Sequence, residues 1–275
     1  MLASEFAELA KYYTNQGDKF RAKAYAGAAT KVKRHETKVM SVADVASLGL
    51  SEKLAKKARE LIESGKLEKY DFIKSDPKVQ VINQLADIWG VGPKAAEKLY
   101  ASGIRSIEQL RHKPELLTTN QKIGLKYYED LKQKIPRDEA TAILRVVEAE
   151  AFKSLKLSAK ELEVVACGSY RRGKAECGDV DILISRRDQG SIEGTLGPLV
   201  EALKKSGFMK EGLGKIGTKE KGGETFMGIC KLPGEDRKCR RIDIKTYPRN
   251  QFGFALLYFT GSARFNIDMR NEAIK

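Results

Sequence analysis

CGSYRRGKAECGDVDILI, residues 167–184, sets a Gly-Ser turn and a burst of arginine ahead of a strand-like run that carries two aspartates one residue apart. In an extended strand alternate side chains share a face, so Asp179 and Asp181 point together while Val180 and Ile182 point the other way. Two converging carboxylates are hard oxygen ligands that suit Mg²⁺. That ion takes one or two protein carboxylates and leaves its other positions to water and substrate phosphates. Upstream, Gly168 and Ser169 offer backbone and hydroxyl donors to phosphate oxygens, and the arginines beside them, Arg172 included, can clamp such oxygens bidentately. Gly178 opens the GDVD run itself.

A two-metal site needs a third carboxylate, and RRIDIK at 240–245 supplies a candidate. Asp243 sits mid-strand between Ile242 and Ile244, with Arg241 and Lys245 on its own face. A charge there is costly unless paired or metal-bound. If the two strands are neighbours, about 4.8 Å apart, the three carboxylates can hold two ions about 3.5 to 4 Å apart. The alternative is three ordinary solvent-facing aspartates; aspartate is depleted in strands, which weighs against three of them in such settings.

The composition fits this chemistry. The chain has 275 residues, 41% hydrophobic and 32% charged, which describes two or more globular domains with real cores. Lys and Arg number 51 against 37 Asp and Glu, a net charge of +14, which asks for a polyanionic partner. Nucleic acid is favoured over a membrane because no amphipathic anchor, lipidation signal or long apolar run is present. MLASEFAELAKYYTNQGDKF lacks the features of a secretory signal, so an intracellular setting is expected. Cys167, Cys177, Cys230 and Cys239 form no C-x-x-C pair, so four reduced thiols are expected rather than a zinc site or disulfide framework. With only His35 and His112, histidine-based nucleophilic catalysis is disfavoured.

The texture of the chain changes near residue 140. Before it, EFAELAKYY, LAKKARELI and LADIW…AAEKLY carry apolar residues at helical spacing; after it, LEVVACGS, DVDILIS, TFMGICKL and RRIDIK read as strands, with helix in GPLVEALKKSG. The expected fold class is α+β multi-domain, an all-helical first half followed by an α/β domain with a mixed sheet. KSDPKVQ at 74–80 reads as a linker, giving helical units over 1–75 and 76–140, with the α/β part from 141 onward; the family resemblance described below divides that part into a domain over 141–250 and the start of a further subdomain over 251–275.

LADIWGVGPKAAEKLYASGI places Gly90-Val91-Gly92 between two helices, with Pro93 at the first position of the second. The glycines permit a tight turn and close backbone approach, and the following helix points free N–H groups and its positive dipole end at that spot, with Lys94 beside it. This resembles the helix-hairpin-helix motif, which grips a DNA backbone without reading sequence, in that family with help from a monovalent cation at the turn. A plain helical hairpin with a glycine turn is the alternative. SVADVASLGLSEKLAKKAREL has a comparable layout with one glycine in its turn, and either reading is open for it.

The order G-S, then D-x-D, then a distant aspartate is the nucleotidyltransferase signature of the DNA polymerase beta superfamily. IGLKYYEDLKQKIPR at 123–137, CGSYRRG, GDVDILI, ETFMGICKLP, RRIDIK and LYFTGSARFN extend the likeness over essentially the whole chain. The chain resembles the family X DNA polymerases and, within them, the beta type. The resemblance implies that Asp179, Asp181 and Asp243 bind two Mg²⁺ ions, with Mn²⁺ as a substitute, and that Asp243 takes part in deprotonating the primer 3′-hydroxyl. It implies that Gly168, Ser169, Arg172 and Gly178 contact the incoming deoxynucleoside triphosphate, with Arg241 close to Asp243. Tyr258, Phe259 and Gly261 would line the nucleotide sugar, and Asn266 and Arg270 would face the minor groove of the base pair. Without the resemblance Tyr258 and Phe259 read as core aromatics. Three departures stand out: Ala263 replaces an acidic residue that touches the base, Lys134 replaces an arginine that reaches the triphosphate, and the family continues past Lys275 to complete the subdomain begun at 251.

The activity expected from this resemblance is template-directed gap filling in base excision repair, with 5′-deoxyribose phosphate lyase activity in residues 1–75. Lys57 is the expected Schiff-base nucleophile. On KLAKKARELIESG, Leu54, Ala58 and Leu61 form the apolar stripe, and Lys57 borders it while Lys53 lies further round and Lys56 nearly opposite. A Schiff base requires a neutral amine, which desolvation or a nearby cation favours; Lys53 is expected to assist, with Arg21 or Lys23 from FRAKAY in the phosphate pocket. A solvated lysine on a DNA-facing helix is the alternative. Gapped or nicked DNA and other base excision repair proteins are the expected partners, a monomer the expected state, and the nucleus the address if the source is eukaryotic, with the mitochondrion open. Two other functions fit parts of the pattern: a template-independent terminal transferase, which the short GEDRKC turn at 234–239 supports little, and a non-catalytic gapped-DNA-binding module, which the three aspartates oppose.

Overall fold

The computed structural model of the chain describes residues 1–35, 37–218 and 223–274. These divide into two compact units, Met1–Leu125 and Lys126–Lys275.

The first unit is helical throughout. Helix Leu2–Asn15 turns Phe6, Leu9 and Tyr13 inward at three- and four-residue spacing, where they meet Tyr25 of helix Lys19–Arg34 and Ala58 and Leu61 of helix Glu52–Ser64. Tyr13 and Tyr25 stack with ring centroids 5.4 Å apart, and Phe6 meets Tyr25 edge-on at 5.7 Å. Each such pair contributes about 0.5–1.5 kcal/mol beyond its buried area. The helix starts carry the expected side chains: Asp18 accepts from Arg21 N at 2.9 Å, Ser41 and Asp44 form a reciprocal capping box, and Asp76 accepts from Lys78 N at 2.8 Å. Asp76 also corrects the linker expected over 74–80. Helix Glu68–Ser75 ends immediately before it and helix Pro77–Ala86 begins immediately after, because an aspartate cap followed by proline is a helix start rather than a spacer.

The second unit is built on a mixed sheet. In chain order its strands are β1 (Ile135–Pro136), β2 (Leu162–Ala166), β3 (Glu176–Cys177), β4 (Val180–Arg186), β5 (Met209–Gly212), β6 (Gly217–Thr218), β7 (Glu224–Lys231) and β8 (Cys239–Thr246). Strands β1 and β3 form a small antiparallel pair; the larger sheet runs β2-β4-β8-β7-β5, with β6 on β7. Only β4 and β8 among these neighbours are parallel, and their register sets Val180 against Ile242, Asp181 against Asp243 and Ile182 against Ile244. Val180, Ile182, Ile184, Ile242 and Ile244 pack against Ile143 and Val147 of helix Arg137–Leu155 and Leu196, Leu199 and Leu203 of helix Leu196–Lys205. The opposite face of β4 places Leu183 against Phe252 and Ala255 of helix Arg249–Thr260. Helix Arg137–Leu155 runs through the boundary expected at 140, and the compact division falls earlier, after Leu125. Its first turn is tied to β8 by a buried fork: Arg240 Nε and Nη2 donate to Glu139 Oε1 and Oε2 at 2.8 and 2.7 Å, and Arg240 Nη1 to the carbonyls of Gln133 and Lys134. Removing one partner of such a pair costs about 3–5 kcal/mol, because the other charge stays buried and alone.

Candidate active site

The alternation of β4 and β8 decides where charge can go. Residues 240, 242 and 244 face the helices, so Arg241, Asp243 and Lys245 share the other face, and the register brings Asp181 beside them. Asp179 lies one residue ahead of β4 and ion-pairs with Arg241, whose Nη2 also lies 3.7 Å from Asp243 Oδ2. Lys245 Nζ is 3.0 Å from Asp181 Oδ1 and 3.7 Å from Asp243 Oδ2. Three carboxylates and two cations are thus interleaved. Asp243 is 9% exposed. Burial pushes its carboxyl above the ordinary carboxylate range, Lys245 and Arg241 pull it back, and Asp181 and Asp179 add to the rise.

No group of three or more His, Cys, Asp or Glu side chains among the described residues is gathered closely enough to hold a metal ion. Arg241 and Lys245, expected on the face of Asp243, serve here as counterions to the three aspartates. The donor set nevertheless fits a hard divalent cation. All its donors are carboxylate oxygens, and Asp243 Oδ1 is buried with no hydrogen-bond partner, an arrangement that is costly without a ligand.

The Gly-Ser turn is a short helix, Gly168–Arg171. Gly168 adopts φ +53°, and a Cβ there would stand 2.5 Å from Asp181 Oδ2, so only glycine lets this backbone lie against the carboxylate. Cys167 N donates to the Asp181 carbonyl at 2.8 Å and locks the turn to β4. Ser169 is half-buried and Arg172 exposed, its Nη1 donating to the Thr260 carbonyl at 2.6 Å. The space beside Gly178 is bounded by Lys134, whose Nζ would be 3.7 Å from a Cβ.

At the end of helix Arg249–Thr260, Tyr258 and Phe259 part company. Tyr258 is 43% exposed, whereas Phe259 packs against the cluster of Cys167, Leu183, Phe252 and Ala255 and lies 4.6 Å beneath Lys245 Nζ. Gly261 follows at φ +70°. Asn266 Nδ2 donates to the Tyr258 carbonyl at 2.8 Å and so fastens helix Ala263–Ala273 to the residues before it, while Arg270 Nε donates within the helix to the Asn266 carbonyl at 3.2 Å.

In the first unit Ala58 and Leu61 are buried on helix Glu52–Ser64, Lys57 is half-buried and Lys53 and Lys56 are exposed. Lys57 lines a recess of about 290 Å³ with Glu60, Glu68, Lys69 and Phe72. Lys69, which the sequence reading passed over, supplies its second lysine; the signal was its place in the first turn of the helix that follows ESGKL. Arg21 and Lys23 do not line this recess. Arg21 pairs with Asp18 and lies over the Tyr13 ring, while Lys23 lines a separate groove with Phe20, Lys31 and Leu54, because residues 21 and 23 of one helix point to different sides.

Gly90 takes φ +85°, and Gly92 caps helix Pro93–Ala101 with no side-chain hydrogen bond to the cap, and Lys94 in its first turn is exposed. Gln121 was also missed: its Nε2 donates to the Gly90 carbonyl at 3.1 Å. A Cβ at Gly124 would meet the Trp89 carbonyl at 2.1 Å, which explains the glycine in IGLKYYEDL.

Residues 134–249 match the family described as DNA polymerase beta palm, residues 83–132 the fingers domain of DNA polymerase lambda, and residues 2–67 a helix-hairpin-helix domain. The chain is 42% identical over 266 residues to DNA polymerase lambda of Rattus norvegicus, covering 95% of this chain and 44% of that protein. It is 35% identical over 271 residues to DNA polymerase lambda of Arabidopsis thaliana, covering 96% of this chain and 50% of the relative. The chain therefore spans about half the length of the curated relatives it matches.

Proposed function

Because the chain belongs to family X of the DNA polymerases, we propose that it is a template-directed DNA polymerase that fills short gaps in base excision repair. The observation that carries this reading is the pairing of Asp181 with Asp243 across β4 and β8, with an unpartnered oxygen on Asp243 and the Gly168 backbone lying against Asp181. Asp179, Asp181 and Asp243 are the residues to hold two Mg²⁺ ions, which Mn²⁺ can replace. Bound there, the ions would neutralise charge on the triphosphate and favour an ionised primer hydroxyl.

The chain's own groups do the rest. Asp243 Oδ1 is assigned the proton of the primer 3′-hydroxyl, whose oxygen then bonds to the α-phosphorus as the bond to pyrophosphate breaks. Gly168 and Ser169 contact phosphate oxygens, with Arg172 and Gly178 at the same triphosphate and Arg241 holding Asp179 and Asp243 in place. Tyr258, Phe259 and Gly261 line the sugar, Tyr258 presenting its exposed ring while Phe259 supports it from the core. Asn266 and Arg270 face the nascent pair. The hairpin at Gly90, Gly92 and Lys94 grips the DNA backbone through uncapped helix N–H groups and a monovalent cation, and the first 75 residues carry the 5′-deoxyribose phosphate lyase with Lys57 as nucleophile. The enzyme acts as a monomer on gapped or nicked DNA with other repair proteins, in the nucleus or mitochondrion of a eukaryotic source. No helix among the described residues is long and apolar enough to cross a membrane.

Extension of a primer on a one-nucleotide gapped duplex, with and without Mg²⁺ and with and without a template base, tests the reading. Extension that needs both supports it. Addition without a template base would favour terminal transfer, and no addition at all would leave a DNA-binding module.

A further inference from the structure

The IGLKYYEDLKQKIPR run ends on Arg137, a residue that the assignments above leave without a role. Arg137 opens helix Arg137–Leu155 and turns its guanidinium onto the loop that follows the Gly-Ser turn. Its Nη1 donates to the carbonyl of Tyr170 at 2.7 Å and to that of Lys174 at 3.3 Å, and its guanidinium carbon lies 4.1 Å from the centre of the Tyr170 ring. Its main-chain N donates to the Ala175 carbonyl at 2.9 Å. One turn along the same helix, Thr141 Oγ1 donates to the Arg137 carbonyl and accepts from the Tyr170 hydroxyl at 2.9 Å. Loop residues 170, 174 and 175 are therefore all held from one short stretch of helix.

We propose that Arg137 is a positioning residue for nucleotide binding, fixing the segment Gly168–Lys174 so that Ser169 and Arg172 meet a triphosphate already in place. The inference rests on the polymerase reading. The segment needs such a support. Gly168 and Gly173 both take positive φ and Arg171 to Lys174 are exposed, so apart from the tie of Cys167 to β4 and the contact of Arg172 with Thr260 this glycine-flanked turn depends on Arg137 and Thr141 for its anchorage. A guanidinium presents its donors in a rigid plane, so one residue can take two carbonyls and stack on a ring at once, which an ammonium cannot do. Donors that are preorganised bind an anion without the ordering cost that a mobile loop would carry. Among the described residues no carboxylate pairs with Arg137, so its charge also adds to the positive field at the loop. Arg137 touches none of the three aspartates, so its loss is expected in nucleotide affinity rather than in the chemical step.

The test compares steady-state nucleotide addition on one-nucleotide gapped DNA by the full chain, Arg137→Met, Arg137→Lys and Thr141→Val, with thermal melts and gapped-DNA affinity measured alongside. For Arg137→Met the dNTP KM is expected to rise about tenfold or more while kcat falls less than about threefold and DNA affinity is unchanged. Arg137→Lys, which keeps the charge and one donor nitrogen but loses the planar fork, should recover part of that loss. Thr141→Val removes only the hydroxyl that orients Tyr170 and should raise KM by about two- to fourfold; it carries the test if Arg137→Met does not fold. A folded Arg137→Met with the wild-type KM, or one whose loss lies in kcat alone, overturns the inference, as does an unchanged KM in Thr141→Val if that variant is the only one folded. A wild-type chain that adds no nucleotide overturns the proposed function, and this inference with it.

Discussion

Asp181 and Asp243 stand opposite each other where β4 and β8 run parallel, and one ammonium serves both: Lys245 Nζ lies 3.0 Å from Asp181 Oδ1 and 3.7 Å from Asp243 Oδ2. Lys245 is itself 8% exposed, so it acts as a buried counterion for two carboxylates that would otherwise repel. A divalent ion on the same oxygens would take over that task. Lys245→Met is therefore expected to lose about 3 kcal/mol of stability in a chelator and to regain most of it in millimolar Mg²⁺, while the wild type responds little. Urea unfolding in the two buffers measures this. A variant equally unstable in both would mean that no ion replaces the lysine.

Asp243→Ala removes the carboxylate that carries the unpartnered oxygen. Single-turnover extension on gapped DNA should fall by at least about a thousandfold, because charge stabilisation worth several kcal/mol is lost. Fluorescence anisotropy with the same DNA should give the wild-type affinity. Extension within about tenfold of wild type would remove Asp243 from the chemistry.

Gly168→Ala should be nearly as damaging to activity, although alanine adds a single methyl group. A Cβ would stand 2.5 Å from Asp181 Oδ2 and φ is +53°, so either the turn or the carboxylate must move. A stability loss of about 1–3 kcal/mol is expected from the strained backbone. Activity close to wild type, with an unchanged melting temperature, would show that the turn relaxes freely.

The strands that carry these residues were legible because their signal is local: DVDILIS and RRIDIK alternate in a way that only a half-charged strand does, and the resulting faces are those observed. What the alternation could not show was which cation faces which carboxylate. Lys245 was placed on the Asp243 face from its spacing, but its contact with Asp181 depends on a crossover register that joins residues 64 positions apart. Met209–Gly212 was not read as a strand, since four residues with Lys210 and Glu211 among them carry little periodicity; pairing with β7 makes it one. The surroundings of Arg21 and Lys23 were illegible for a related reason. The helix that bears them was clear, yet the neighbour on each of its sides is a matter of packing.

The buried thiols make a prediction about alkaline pH. Burial raises the Cys167 thiol to about 12, with Asp181 adding to the effect, and it also raises those of Cys230 and Cys239. Below about pH 8.5 the thiols are protonated in folded and unfolded chains alike, so they contribute their full stability there. Above it the unfolded chain sheds these protons first, and stability falls by about 1.4 kcal/mol per thiol per pH unit until each folded thiol titrates. Urea midpoints should hold steady up to about pH 8 and drop from about pH 9, less steeply in Cys167→Ala. A flat profile to about pH 10.5 would show that the thiols ionise without unfolding.

Lys57 offers the sharpest test of the first unit. Helix Glu52–Ser64 buries Ala58 and Leu61, and this places Lys57 at the edge of the buried stripe, in the recess shared with Glu60, Glu68, Lys69 and Phe72. A lysine that acts only as a phosphate contact on a DNA-facing helix would form no covalent bond, whereas a Schiff-base nucleophile is captured by borohydride on incised abasic DNA. Trapping is expected in the wild type and should fall at least about tenfold in Lys57→Ala, with gap filling unchanged because the carboxylate site lies in the other unit. Lys69→Ala separates the two lysines of the recess: it should weaken DNA binding yet still be trapped. Undiminished trapping in Lys57→Ala with its loss in Lys69→Ala would move the nucleophile to Lys69, and a wild type that is never trapped would remove the lyase from this chain.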